Sequence, residues 1–578
     1  METKATNDPQ AMPRPYPDEE LKTILDYFCE WESRQPDAPF LRQPFGDTWK
    51  SITWAEAGEE ARRMTAALRG LGLQAGDKVG LISKNCYHWV IADLAIMMGG
   101  FVSVPFYPNL TAGQLRQVLK LSDTKVLFVG KLDEWSNLKG GVPEAVQMIA
   151  FPHYPGNARV EEGLGWDELT ESYKPAEIQR PKLHDLWTIL FTSGTTGMPK
   201  GVMHTYYAPT TLLHNEEVHN NLKIFEGKEH RYFSYLPLNH IAERIIVEVA
   251  AIITGGTINF AESIDTFAKN LQETQPTLFM AVPRIWTKFR LAILEKMPQK
   301  RLSFLLRLPL IGRLIKKKIH RGLGLSVARI MLTGAAPTPD SLKDWYRELG
   351  LHLQEVYAMT ENCGGCTLMP IDNIKSGTVG YPLPNVSLKI AEGSGEVLMR
   401  APWVMKGYYR DPEKTAHVLQ DGWLHTGDQG EIDEEGFLRL TGRVSDTFKS
   451  AKGKFIIPAP IEWIFAKNNY IEQVAVVGLA IPQPLALVVL SELGRQAPRA
   501  EVQESLKNSL EEANQDLANY ERVCAVIIME EDWSVDNGIL TPTLKIRRDV
   551  LNERYQEFYM RWYEEGEPVL WENKKSEI

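Results

Sequence analysis

Along most of the chain, short apolar runs alternate with stretches in which apolar residues recur every three or four positions. KVGLI is followed by WVIADLAIMM, KVLFV by WSNLK, and ARIMLT by SLKDWYREL. The short runs read as buried strands and the longer spacing as helices, and such alternation builds layered α/β structure with largely parallel sheets. AEAGEEARRMTAALRGLG carries the helical spacing throughout, with glycine near its end where a helix stops. After about residue 370 the texture changes. In GSGEVLMR and DGWLHTGDQGEIDEEGFLRLTGR, glycine-bearing turns separate short strands, which predicts a smaller β-rich subdomain. Beyond Arg443 an α/β pattern returns in QVAVVGLA, LALVVLSEL, the charged helix around VQESLKNSLEEANQDLANY, and CAVIIME. A boundary at Arg443–Asp446 leaves about 130 residues, enough for a compact domain. The expected fold class is α/β: a large N-terminal domain over residues 1–443, with parallel α/β sheets and a β-rich subdomain, and a small C-terminal α/β domain over 444–578.

Composition narrows the classes of function. A chain of 578 residues exceeds one core. Its 44% hydrophobic and 24% charged content is that of an ordinary globular enzyme. A net charge of −10 argues against nucleic acid as the main partner, since phosphate backbones select basic surfaces. Five cysteines in so long a chain suggest reduced thiols and a cytosolic compartment. Cys363 and Cys366 form C-G-G-C with no second pair or histidine cluster nearby in sequence, so two buried thiols are expected before a zinc site or a redox pair. The N-terminal METKATNDPQAMPRPYPDEE lacks the apolar core of a signal peptide, and no run of 18 apolar residues occurs. The expected location is therefore cytoplasmic.

One segment departs from the acidic average. Residues 296–321, KMPQKRLSFLLRLPLIGRLIKKKIHR, hold nine Lys/Arg and no Asp/Glu, interleaved with Leu, Ile and Phe. That mixture suits peripheral contact with an anionic membrane surface. A solvated helix pair covering the core, turning near Pro309 and Gly312, is the alternative.

The chemistry is densest in LFTSGTTGMPKG, residues 190–201, which follows the apolar DLWTILF. It is not the G-x-x-x-x-G-K-[ST] loop, because Gly194 and Gly197 are three apart and Lys200 is followed by Gly201. Its ingredients still suit a polyphosphate. Glycines let backbone N–H groups approach phosphate oxygens, the hydroxyls of Thr192, Ser193, Thr195 and Thr196 add donors, and Lys200 adds a mobile cation. A polar surface turn is the plain alternative.

TSGTTGMPKG resembles the phosphate loop of the adenylate-forming (AMP-binding) superfamily, which includes acyl-CoA synthetases, firefly luciferase and the adenylation domains of peptide synthetases. Further matches follow in that family's order: YLPLNHIAER at 235–244, LTGAAP at 332–337, VYAMTE at 356–361, GWLHTGD at 422–428, TGRVSDTFKSAKGKFIIPAPIE at 441–462 and ILTPTLKIRR at 539–548. SVPFYPNLTA, VPRIWTKF, FIIPAPIE and LTPTLK look most like the long-chain fatty acyl-CoA synthetase branch.

The resemblance implies a role for each motif. Thr192, Ser193, Gly194, Thr195, Thr196, Gly197 and Lys200 would cradle the ATP phosphates. Glu361 would hold Mg²⁺, with Thr360 on the α-phosphate. Gly334, Ala335 and Ala336 would let backbone approach the adenine, and Tyr357 would stack on it. Asp428 would accept both ribose hydroxyls, Arg443 would contact ribose or phosphate, and His240 would border the acyl-adenylate pocket. Lys545 would reach the α-phosphate, and Gly453 would line the pantetheine tunnel of coenzyme A. Taken singly, most of these residues have ordinary readings: a solvated acid at Glu361, a core ring at Tyr357, a turn residue at Asp428, a structural histidine at His240. Trp286 would gate the acyl tunnel or fill the core.

The family's small domain is mobile, rotating after its hinge arginine so that the lysine leaves before the thiol arrives. Here the hinge reads GRVSD, with Ser445 where many members have Asp or Lys and Asp446 following, so the hinge residue is one of these two. The implied activity is an AMP-forming ligase that joins a long-chain fatty acid to coenzyme A, using ATP and Mg²⁺. The alternatives are an acyl-AMP ligase loading a carrier protein, a CoA ligase for a medium-chain or aromatic acid, and a non-catalytic acyl or nucleotide sensor. The compact stretch from Arg443 to Gly453 favours coenzyme A over a carrier protein. Glu361 and Lys545, both present, argue against the sensor.

Overall fold

A computed structural model describes residues 14–192, 199–451, 454–515, 517–541 and 545–572. The chain divides into two units. The first takes in the described residues through Ser387 together with Met399–Leu424, and the second takes in Leu388–Leu398 and the described residues from His425 onward.

The first unit is built on two large sheets. In the eight-stranded one, Lys78–Ile82, Val102–Phe106, Thr124–Val129 and Gln147–Ala150 run parallel, as the apolar runs KVGLI and KVLFV predict. Strands buried on both faces read as nearly continuous apolar runs, and Lys78–Ile82 is buried at every position after its lysine. The helix Tyr87–Met98 is buried at all twelve residues, which explains why its sequence shows no polar face. Trp54–Gly70 is the amphipathic helix expected from its spacing. Its start is fixed by a reciprocal cap in which the Thr53 hydroxyl accepts from Glu56 N at 3.2 Å and the Glu56 carboxylate accepts from Thr53 N at 2.8 Å.

Beside Val102–Phe106 lies the parallel strand Leu186–Thr192, and Lys200–Thr205 then turns back antiparallel to it. In the nine-stranded sheet, Arg231–Ser234, Leu278–Ala281, Ile330–Gly334 and Leu353–Tyr357 are successive parallel neighbours. In open α/β sheets, ligands bind beyond the carboxyl ends of such strands.

A buried ion cluster ties elements of this unit together. Arg244, with no exposed surface, donates to Asp93 at 2.5 Å, Glu248 at 2.9 Å and Thr188 at 2.9 Å, and its guanidinium lies 4.2 Å from the Trp187 ring centroid. It begins a π-helical turn, Arg244–Val249, a geometry that apolar periodicity does not announce.

The second unit contains residues 425–432 of the strand Trp423–Ile432, paired antiparallel with Leu438–Arg443, in the region whose glycine-rich turns predict short strands. A four-stranded sheet of the same unit orders Ile471–Val477, Leu485–Leu490, Ala525–Ile528 and Val569–Trp571. Val502, Leu506 and Leu510 of helix Arg499–Asn514 pack in one core of this unit, and Leu551, Tyr555, Tyr559 and Trp562 of helix Arg548–Glu565 pack in another. Arg548 donates twice to Glu462 at 2.6 Å and lies 3.4 Å from Asp446, so one of the two hinge candidates is already engaged within the unit. Ser445 is exposed and donates to Asp446 at 3.2 Å.

Candidate functional site

The antiparallel pair that brackets the Gly/Ser/Thr loop sets the starting point. Thr192 sits opposite Lys200 in the register, so the loop joins two facing strand ends. Ser193, Gly194, Thr195, Thr196 and Gly197 lie outside the described residues, as does Gly453.

Lys200 lies with its ammonium 5.3 Å from the ring centroid of Tyr408. The Tyr408 hydroxyl donates to Glu361 Oε1 at 2.8 Å. Burial, followed by the negative charge of Glu361, pushes the Tyr408 pKa up, so this phenol stays a donor at every working pH. Sequence reasoning missed Tyr408. Its place comes from the short strand Gly407–Tyr408, which bonds to Lys200–Thr205 and sets Tyr408 opposite Val202, a pairing that no local pattern announces.

Thr360 and Glu361 form the first two residues of a 3₁₀ turn. The turn is pinned from several sides. Asn362 Oδ1 accepts from Met359 N at 2.9 Å, Glu361 O accepts from Met405 N at 2.8 Å, and Thr360 O accepts from Cys363 N at 3.1 Å. Cys363 and Cys366 are both buried, and neither is in a disulfide.

Gly334 closes the strand Ile330–Gly334, and a Cβ there would stand 2.7 Å from Val356 O, so no larger residue fits without moving the neighbouring strand. Ala335 then adopts φ +64°, a left-handed conformation uncommon for alanine and typical of strained functional loops. Ala335 and Ala336 are exposed. The loop is stapled by Glu355, which accepts from Thr338 N at 3.0 Å and from Lys343 Nζ at 2.5 Å. Burial raises the Glu355 pKa, and the Lys343 ammonium offsets part of that rise. Tyr357 ends the next strand, is 8% exposed and faces Thr367 across the register.

His240 caps the short helix Ile241–Glu243, its Nδ1 accepting from Ala242 N at 3.2 Å. In the neutral ring that acceptor role leaves the proton on Nε2. The loop before it is clamped by Asn85, which donates to Leu236 O at 2.6 Å and accepts from Leu238 N at 3.2 Å. Glu243 Oε1 accepts from Ser234 Oγ and Tyr235 N, each at 2.9 Å, and from Asn85 at 3.3 Å. Burial pushes Glu243 up to about 8. Trp286 has 0% exposure, its indole N–H donates to Ala281 O at 3.1 Å, and it packs within a core cluster of the first unit.

In the first unit, then, Thr192, Gly334, Tyr357 and the His240 loop all stand at or just beyond the carboxyl ends of strands. Lys200, Glu361 and Thr360 are joined through Tyr408 and the 3₁₀ turn. The second unit holds Asp428, Arg443 and Lys545. Arg443 Nε donates to Asp428 Oδ1 at 2.7 Å. Lys545 is exposed, its N donating to Thr541 Oγ1 at 3.0 Å and its O accepting from Thr541 N at 2.8 Å.

Residues 28–409 match the family model described as AMP-binding enzyme, and residues 445–567 match that of the AMP-binding enzyme C-terminal domain. Long-chain-fatty-acid–CoA ligase FadD15 of Mycobacterium bovis is 30% identical, over 94% of this chain and 98% of the relative. Long chain acyl-CoA synthetase 3 of Arabidopsis thaliana is 27% identical, over 96% and 94%. Among solved structures, the anthranilate CoA ligase AuaEII in complex with anthranoyl-AMP superposes with a TM-score of 0.74 at 20% identity, over 93% of this chain and 99% of that one.

Proposed function

Because this chain belongs to the AMP-binding enzyme family, we propose that it is an ATP-dependent ligase that activates a long-chain fatty acid as acyl-AMP and transfers it to coenzyme A, giving acyl-CoA, AMP and pyrophosphate. The observation that carries the chemistry is the assembly of Lys200, Tyr408, Glu361 and Thr360 beyond the strand ends of the first unit. The names of the long-chain ligases that it resembles over nearly full length support the choice of acid.

A carboxylate is ionised at neutral pH, so no general base is needed for its attack on the α-phosphorus. The step demands positioning and charge stabilisation. Thr192, Lys200 and the loop residues 193–197 hold the β- and γ-phosphates, and Thr360 contacts the α-phosphate. Glu361 fits a hard cation, because Mg²⁺ shared with phosphate oxygens needs only one or two carboxylates. Among the described residues no cluster of three or more His, Cys, Asp or Glu forms a separate metal site. When bound, Mg²⁺ supplies charge neutralisation on the phosphates. The Tyr408 hydroxyl holds one Glu361 oxygen in place. Gly334, Ala335, Ala336 and Tyr357 receive the adenine, Asp428 and Arg443 the ribose, and His240 borders the acyl group. Lys545 offsets charge on the oxygen bridging to the leaving pyrophosphate. The thiolate of coenzyme A, entering past Gly453, then attacks the acyl carbonyl and expels AMP. The domain from residue 444 onward moves between the two steps, hinged at Ser445 or Asp446.

Residues 296–321 form the peripheral contact with the membrane from which the fatty acid is drawn. Among the described residues no helix is long and apolar enough to cross a membrane.

The test is pyrophosphate release with ATP, Mg²⁺ and straight-chain acids from two to twenty carbons plus aromatic acids, with and without coenzyme A. Turnover that requires coenzyme A and peaks at long chains is expected. Pyrophosphate without thioester points to a carrier-protein acceptor, and silence across the acids overturns the reading.

A further inference from the structure

One fully buried side chain touches the Thr360–Glu361 turn without having been assigned any part in the chemistry. His204 has no exposed surface and lies on the strand Lys200–Thr205, where it pairs with Thr188. Its Nε2 is 2.7 Å from Thr360 O. A carbonyl only accepts, so Nε2 carries the proton. His204 Nδ1 is buried and has no hydrogen-bond partner among the described residues, which fits a neutral ring whose other nitrogen keeps a bare lone pair. Burial, together with the charge of Arg244, holds its pKa down to about 4, so the ring is neutral near pH 7.

The register gives this contact its meaning. Side chains two and four apart share one face of a strand. Lys200 and His204 are four apart on the strand that leaves the phosphate loop. At one end, Lys200 approaches Tyr408, which holds Glu361 by its carboxylate. At the other, His204 holds the carbonyl of the residue before Glu361. A leucine would fill similar space and leave that carbonyl without its second donor.

We propose that His204 is a positioning residue that locks the Thr360–Glu361 turn to the phosphate-loop strand, so that the triphosphate with its Mg²⁺ meets a preformed site. The proposal rests on the ligase reading. It assigns His204 to the nucleotide half of the reaction and leaves the acid and the thiol untouched. His204 contacts no reacting atom, so its loss shows in how MgATP is used.

The experiment compares wild type with His204→Leu and His204→Gln. The Gln side-chain amide places an N–H near the position of Nε2. For each protein, the KM for MgATP, the Mg²⁺ concentration at half-maximal rate, the KM for the acid, and the rate of thioester formation from supplied acyl-AMP and coenzyme A are measured. Far-ultraviolet circular dichroism checks folding. His204→Leu is expected to raise the first two about tenfold while the last two stay within about twofold, and His204→Gln to recover most of the loss. Four parameters that change together, an unchanged MgATP dependence, or a Gln variant no better than Leu overturns the proposal.

The rise in melting temperature on adding MgATP provides a reading independent of turnover. If wild type releases no pyrophosphate, the ligase reading falls, and an equal MgATP-induced rise in wild type and His204→Leu overturns the positioning role as well. A smaller rise in the Leu variant sustains that role. No rise in wild type overturns both. If His204→Leu does not fold, His204→Gln and His204→Asn carry the comparison. The shorter Asn cannot reach Thr360 O and is expected to behave as Leu does, and equality of Gln and Asn overturns the proposal.

Discussion

Asp428 and Arg443 stand directly opposite one another on neighbouring antiparallel strands, and Arg443 Nε donates to Asp428 Oδ1 at 2.7 Å. The Asp428 backbone N also donates to Thr426 Oγ1 at 3.1 Å, which fixes the carboxylate's base. On the proposed reading, a carboxylate so held would be oriented before the ribose arrives. Asp428→Asn keeps the shape but turns half of the acceptor into a donor facing both the ribose and Arg443. Hydrogen bonds to charged groups contribute about 1.5–3 kcal/mol, so kcat/KM for ATP should fall roughly 10- to 150-fold, with the KM for the acid little changed. Steady-state kinetics with each substrate varied separately checks this. A fall of less than threefold would remove Asp428 from the nucleotide site.

Glu243 is a buried acid whose protonation the fold itself favours. Burial, with the charge of Glu248 adding to it, pushes its pKa up to about 8. Its contribution to stability is full below its unfolded pKa, near 4.5, and is lost as pH rises through about 8. Burial also raises Glu248, with the Arg244 charge offsetting part of that rise, and pushes Glu216 up to about 7, so both act in the same direction. Glu243→Gln removes one of these titrations and keeps an oxygen for Ser234, Tyr235 and Asn85. Its melting temperature should therefore decline less than wild type between pH 5 and 8. Glu243→Leu leaves those three donors without their acceptor and should cost about 2–4 kcal/mol. Thermal melts across that pH range separate the two variants, and parallel slopes for wild type and Glu243→Gln would refute the argument.

The parts of the fold that sequence made visible are those where one local pattern decides. KVGLI, KVLFV and ARIMLT are strands because continuous apolar runs fit a sheet covered on both faces. The proposed phosphate loop could be read from sequence because backbone access and hydroxyl donors require particular residue types in a row. Tyr408 was not, because its part depends on a two-residue strand that pairs with residues some two hundred positions earlier. His204 was hidden for a similar reason: it is one of three polar residues in the strand Lys200–Thr205, and its partner, the Thr360 carbonyl, has no residue identity to read. Trp286 shows the converse, since a tryptophan beside a motif serves tunnel or core equally in sequence and only burial separates the two.

Lys545 contrasts with most of the other proposed residues in being exposed, with its backbone held by Thr541 and its side chain at the surface of its unit. If its role is to offset charge during adenylation alone, Lys545→Gln should lower pyrophosphate release by about 10²- to 10³-fold, the scale found for removing one preorganised charge-stabilising donor. Thioester formation from supplied acyl-AMP and coenzyme A should stay within about threefold, because that step forms no pyrophosphate. The two half-reactions are assayed separately on the same preparation. Equal losses in both would assign Lys545 to folding or domain placement.

The basic segment can be judged by which of its faces is already occupied. It forms two helices, Gln299–Leu306 and Pro309–Leu323. Leu302, Leu306, Ile315, Ile319 and Leu323 pack against a core cluster of the first unit, which accounts for one apolar face. That cover does not explain the other face, where Leu310 is 76% exposed, Leu314 69% and Phe304 63%. Arg301, Arg307, Arg313, Lys317 and Lys318 are also exposed in the same segment. Apolar side chains flanked by cations bind an anionic bilayer by partial insertion and by attraction to the headgroups, the latter worth about 1 kcal/mol per basic residue. Co-sedimentation with phosphatidylglycerol vesicles should therefore exceed that with phosphatidylcholine vesicles and weaken in 0.5 M salt, a strength at which the Debye length falls to roughly 4 Å. Replacing Lys316, Lys317 and Lys318 by Gln should weaken binding to the anionic vesicles by about 100-fold, and Leu310→Ser with Leu314→Ser should lower binding without changing its salt dependence. Turnover of soluble short-chain acids should be the same in all of these variants. Undiminished sedimentation of the triple Gln variant would show that the segment only covers the core.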